Sequence, residues 1–105
     1  MTTTVSRETH PDRFQIAEDG HVVGFAQFVD HDGQRIFFHT EIGEAFGGRG
    51  LAGIVVREAL DATRTDGLRI VPVCPYVKKF VQTHHDWDDI VDAVTPAALQ
   101  AIRRA

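Results

Sequence analysis

The sequence predicts an α+β domain: a three-strand antiparallel meander, then a helix, a parallel strand and C-terminal helices. Three observations predict it. Asp19-Gly20 and Asp32-Gly33 separate β-rich runs with hairpin turn chemistry. At Leu51 the apolar spacing changes from alternation to a helical period, which Asp66-Gly67 ends. A short β-branched run then follows at residues 68–73, and a strand reached through a helix returns parallel to the one before it.

Taken in order, residues 1–12 keep neither period for long and are expected to fray. In the first strand, from Arg13, Phe14 and Ile16 alternate with polar neighbours. Residues 21–29 carry apolar groups on both faces, as a central strand covered above and below does. The third strand is Gln34–Ile42 with Ile36, Phe37 and Phe38. In the helix Leu51–Thr65, Leu51, Ile54, Val55, Ala59 and Ala62 share a face, with Arg57, Asp61 and Arg64 largely off it. Pro75–Thr83 reads as a second helix, and Thr95-Pro96 opens a third that ends in Arg103 and Arg104. The order is β-β-β-α-β-α-α within one domain spanning 1–105, without repeats or linkers.

Composition narrows the function classes. A net charge of −4 with both signs interspersed argues against bulk binding to nucleic acid. Cys74 is the single cysteine, so no disulfide closes within the chain, and a reducing cytoplasm is the expected compartment. No apolar run approaches the roughly 20 residues of a membrane span. Neither a membrane nor nucleic acid is therefore an expected partner.

The most informative stretch is Phe46-Gly47-Gly48-Arg49-Gly50-Leu51-Ala52-Gly53, between a strand and an amphipathic helix. No Ser, Thr, Asp or Asn stands there to cap the free N–H groups of the helix start. Successive glycines let a partner approach the backbone, and a helix N-terminus favours an anion such as a pyrophosphate. A tight turn alone is the other reading of these glycines. Gly48, Gly50 and Gly53 also fit the dinucleotide spacing GxGxxG, but the next strand ends in Val73-Cys74-Pro75 without the acid that motif needs.

His39-Thr40-Glu41, then Gly47-Gly48-Arg49-Gly50-Leu51-Ala52, then Val71-Pro72-Val73-Cys74-Pro75-Tyr76-Val77 resemble, in that order, a minimal single-domain branch of the GNAT-type N-acetyltransferase superfamily with a Cys-Pro-Tyr element. The likeness runs over residues 13–91. The superfamily turn Gln/Arg-x-x-Gly-x-Gly/Ala falls on Gly47, Gly50 and Ala52, with glycine where a Gln or Arg side chain is usual. The resemblance implies acetyl-CoA as cofactor, with its pyrophosphate on the backbone amides of residues 48–52. Its pantetheine arm would pair with the third strand near Glu41 and Ile42, where that strand splays from the one ending at Val73. It further implies acetyl transfer to an amine of a small molecule or protein; a monomer or weak homodimer is the expected state. Without the N-terminal helices and C-terminal strands of longer members, the acceptor site is expected to be open or completed by a partner. A module that holds CoA or acyl-CoA without turnover is the alternative.

Several residues are candidates for the chemistry. Cys74, before Pro75, falls at a helix cap with Lys78 and Lys79 close behind, a setting that favours thiolate, although a lone cysteine is often buried and inert. It is a thiol near the acyl group or a covalent nucleophile. Tyr76, the single tyrosine, is a candidate acid for the departing thiolate or a packing residue. His39 and Glu41, two apart on one strand, are candidate bases, with amides near Ile42 polarising the carbonyl. Arg49, and with it Arg57 and Lys79, are candidate phosphate ligands. His84-His85 with Asp86, Asp88 and Asp89 matches no zinc spacing, and no metal is expected there.

Overall fold

The computed structural model describes residues 2–105. Its sheet has five strands in chain order: β1 (Thr3–Glu8), β2 (Arg13–Glu18), β3 (His21–His31), β4 (Gln34–Ile42) and β5 (Arg69–Pro72). The first four are antiparallel, and β5 joins β4 in parallel after helix α1 (Leu51–Thr65). The meander thus has four strands rather than three. Thr3–Glu8, expected to fray, pairs along its whole length with β2. It is a mostly exposed edge strand, so little apolar periodicity marked it, and its backbone pairing holds it.

Both predicted hairpin turns form with positive φ at two successive residues, Asp19 and Gly20, then Asp32 and Gly33. Their twist matches that of the flanking strands. Alternation along β2 buries Phe14, Ile16 and Glu18. With Ala26, Phe28 and Phe37 they face α1, which buries Leu51, Val55, Val56, Ala59, Leu60 and Thr63. The buried stripe lies further round the helix than the sequence suggested, leaving Ile54 exposed. Gly67, at φ 72°, closes α1 while the Leu68 amide bonds to the Thr63 carbonyl.

Helix α2 (Pro75–Thr83) packs on the same side as α1, through Val77, Phe80 and Val81. A 3₁₀ turn, His85–Ile90, then seals the core with Trp87, whose indole N–H donates to Asp61 at 3.0 Å. Helix α3 (Pro96–Arg104) covers the opposite side, where Ala98 and Ala101 meet Ile36 and Val71. Thr95 caps it by accepting from the Ala98 amide. No described helix is long and apolar enough to cross a membrane.

One cation is deeply buried. Arg35, 1% exposed, lies over the Phe28 ring at 4.7 Å, forks onto both oxygens of Asp30 and reaches Asp66. Arg35→Ala removes this ion cluster and the packing of its stem. A loss of about 2–3 kcal/mol in unfolding free energy is expected, read by urea denaturation.

The acidic turn answers to a different pair. Arg64 hydrogen-bonds both Asp89 oxygens and holds that carboxyl at about 2, below its ordinary 3.8. A carboxyl depressed by folding contributes stability above its unfolded value, and that contribution is lost as pH falls through the folded one. The melting-temperature advantage of the wild type over Asp89→Asn is therefore expected to shrink between about pH 5 and about pH 2.

Candidate functional site

The site begins where β4 and β5 part. Their parallel ladder ends at Phe37 and Pro72, and both the Val73 and Cys74 amides donate to the Phe37 carbonyl, at 3.0 and 2.8 Å. β4 runs on to Ile42 with β3 as its partner, so a fork opens between β4 and the chain entering α2. Just there the β3–β4 register shifts: Gln27 pairs with His39 and Phe28 with Phe37, leaving Phe38 as an extra residue. Gly24 lets the end of β4 lie close, since a Cβ there would come within 2.3 Å of the Ile42 side chain.

The shift decides which side chains meet. Thr40 pairs with Ala26, whose side faces α1, and the Cys74 thiol lies 3.4 Å from the Thr40 hydroxyl. His39 and Glu41 pair with Gln27 and Phe25, which alternate with Ala26 and so face the α3 side. The two candidate bases do share a face, 3.6 Å apart and exposed, with the His39 ring beside Phe25. It is the face away from Cys74.

Beyond the fork, Gly43 and a 3₁₀ turn, Glu44–Phe46, lead into the glycine loop. Gly48 and Gly50 both take positive φ, 77° and 74°, and Gly50 stands at the cap of α1 with no side-chain hydrogen bond to the helix. The amides of the first turn have no acceptor within the helix, by α-helical geometry. A hollow of about 300 Å³ opens there, and Ile42, Gly47, Gly48, Gly50, Leu51, Ala52 and Tyr76 all line it, joined by Phe46. Any side chain at position 48 or 50 would enter open space and strain the backbone.

The remaining candidates are placed differently. Arg49 forks onto Glu18, at 2.7 and 2.5 Å. Cys74 occupies the cap position of α2 as expected, but is only 4% exposed. Tyr76 lies partly exposed on α2, its hydroxyl near Gly53, and burial raises its phenol above the ordinary 10.0. Lys79 lines a second hollow of about 440 Å³ with Gly53, Tyr76, Phe80 and His84. The sequence marks Phe46 only as the start of the glycine stretch, leaves Phe80 unremarked and gives His84 no place here. Tyr76 and Phe80 stand four residues apart on one face of α2 and His84 follows four later at its cap, and that spacing was the available signal. His84 stacks on Phe80 at 4.2 Å, and His85 pairs with Asp88, so the two histidines diverge.

A family model for the GCN5-related N-acetyl-transferase matches residues 13–90. The chain belongs to that family. No curated protein sequence matches it. Among solved structures it is similar to a protein of Staphylococcus aureus described as a GCN5-like N-acetyltransferase, with a TM-score of 0.67 and 16% identity over 89% of this chain and 91% of that one. It is also similar to a ribosomal-protein-alanine N-acetyltransferase of Brucella melitensis biovar Abortus 2308, with a TM-score of 0.55 and 21% identity, covering 80% of this chain and 63% of the other. A GNAT-family acetyltransferase-like protein of Desulfovibrio desulfuricans gives a TM-score of 0.55 at 15% identity, over 69% of this chain and 52% of that one. At these identities the likeness is one of fold, and the chain spans only part of the two larger proteins. The four-strand meander, crossover helix and parallel fifth strand are the GNAT arrangement they share.

With one tyrosine in the chain, its ionisation can be followed directly. An absorbance titration near 295 nm is expected to place the Tyr76 midpoint above 10 in the folded protein and to return it to the ordinary value on unfolding.

Proposed function

We propose that this chain is an acetyl-CoA-dependent N-acetyltransferase of the minimal Cys-Pro-Tyr kind, moving an acetyl group to an amine of a small molecule or protein. The observation that carries the reading is the convergence of an uncapped, glycine-built helix start with Ile42 and Tyr76 on one hollow beside an open strand fork. The residues fit the cofactor. Free amides at a helix start suit a pyrophosphate, and the unpaired flank of β4 suits an extended amide-bearing arm.

Bound acetyl-CoA supplies an activated acetyl group: the amine nitrogen bonds to the carbonyl carbon as the carbon–sulfur bond breaks. The chain's own part is to hold and to move protons. The Gly43 amide already donates to Val23, so the backbone amides near Ile42 on the unpaired flank of β4 are the donors available to the carbonyl oxygen. Tyr76, whose phenol carries its proton at neutral pH and which lines the hollow, is the donor available to the departing thiolate. His39 or Glu41 serves as base for an amine presented on the α3 side of the fork. That side carries a hollow of about 530 Å³ lined by Asp12, Gln27 and Phe38. Cys74, held against Thr40 and buried, serves as an aid to the acyl site more readily than as a nucleophile.

A second reading, a module that retains CoA or acyl-CoA without turnover, draws support from the separation of His39 and Glu41 from the Cys74 face. The two readings part in one set of measurements. CoA at 100 times its Kd is expected to stabilise the protein by about 2.7 kcal/mol, read as a rise in melting temperature; no rise removes both readings. Mass spectrometry after incubation with acetyl-CoA and candidate amines then decides between them. An acetylated amine supports the enzyme, with Tyr76→Phe slowing CoA release about tenfold or more and Cys74→Ala much less. Ligand recovered unchanged supports the module.

A further inference from the structure

Alternation along β2 aims Glu18 into the same side of the sheet as Phe14 and Ile16, and at 7% exposure it is the one buried acid among the described residues. A carboxylate in that position requires a partner. Arg49 supplies one in the two-pronged geometry that suits a guanidinium, and it does so from within the glycine loop, between Gly48 and Gly50. Those two neighbours, both at positive φ with open space around their α-carbons, give the loop little packing of its own.

We infer that Glu18 is a positioning residue for the cofactor loop, acting through Arg49 as a tether that fixes the amides of residues 48–51 in the conformation that receives a diphosphate. This rests on the acetyl-CoA reading. The pair is close to neutral, so the attraction for the diphosphate comes from backbone N–H groups and the helix start, while Arg49 holds the loop instead of gripping the anion. A tethered loop gives up less conformational freedom on binding than an untethered run of glycines. Glu18 stands on a different element, 31 residues earlier in the chain, so the loop is registered directly against the sheet that also carries β4.

The tether and a direct phosphate grip by Arg49 predict opposite signs for one substitution. If Arg49 held the phosphate, Glu18→Gln would free a cation and leave CoA affinity equal or higher. With the tether, Glu18→Gln is expected to raise the Kd for CoA about tenfold in calorimetric titration of the full chain. Arg49→Met should do the same, and the double variant should be no worse than either single one. Equal or tighter binding by Glu18→Gln, or additive losses in the double variant, overturns the inference. Hydrogen exchange without ligand is independent of CoA: the amides of residues 48–51 should exchange about tenfold faster in Arg49→Met, whose side chain lies at the surface, and in Glu18→Gln. Unchanged exchange in both overturns the tether. Failure of the wild type to take up CoA, with exchange altered as expected, instead removes the acetyl-CoA reading and leaves the tether standing.

Discussion

A single carbonyl, that of Phe37, accepts the amides of both Val73 and Cys74, and the parallel ladder stops there. The next residue of β4, Phe38, is extra in the register with β3, so the strand bends and changes its alternation at the same place. The fork follows from these two local events. β4 is left with an unpaired flank as far as Ile42, the chain leaves the sheet at Cys74, and α2 starts at Pro75 facing the glycine loop across Tyr76.

The same register shift sorts the polar residues of β4. Thr40 and Ile42 turn to the side of α1 and α2, while His39 and Glu41 turn to the side of α3. Acyl transfer needs its cofactor and acceptor to meet at one carbonyl without occupying one volume, and a gap in a sheet is open from both faces. Residues near the fork therefore fall into two sets according to face. On the proposed reading, those on the α1 side would meet the diphosphate and thioester, and those on the α3 side the amine.

Buried charge is used sparingly and at two places with different consequences. Arg35, between phenylalanine rings and two aspartates, ties β4 to the end of β3 and to the close of α1. Glu18 with Arg49 joins the opposite end of the sheet to the loop before α1. Together they anchor both ends of the helix whose first turn faces the hollow. Between those ends the apolar stripe of α1 does the packing.

Much of this was legible in the sequence by itself. Asp-Gly pairs demand positive φ, a 3.6-residue period demands a helix, and a glycine loop without a capping side chain leaves N–H groups unsatisfied, so the turns, α1 and the candidate anion site all follow from local chemistry. The run Thr3–Glu8 was illegible because an exposed edge strand is held by backbone bonds to a neighbour, which leave no apolar period. The pairing of Glu18 with Arg49, the burial of Cys74 against Thr40, and the face on which His39 and Glu41 stand depend on register and on contacts far apart in the chain. A shift of one residue in a strand reverses every side chain beyond it, and only the tertiary structure decides where that shift falls.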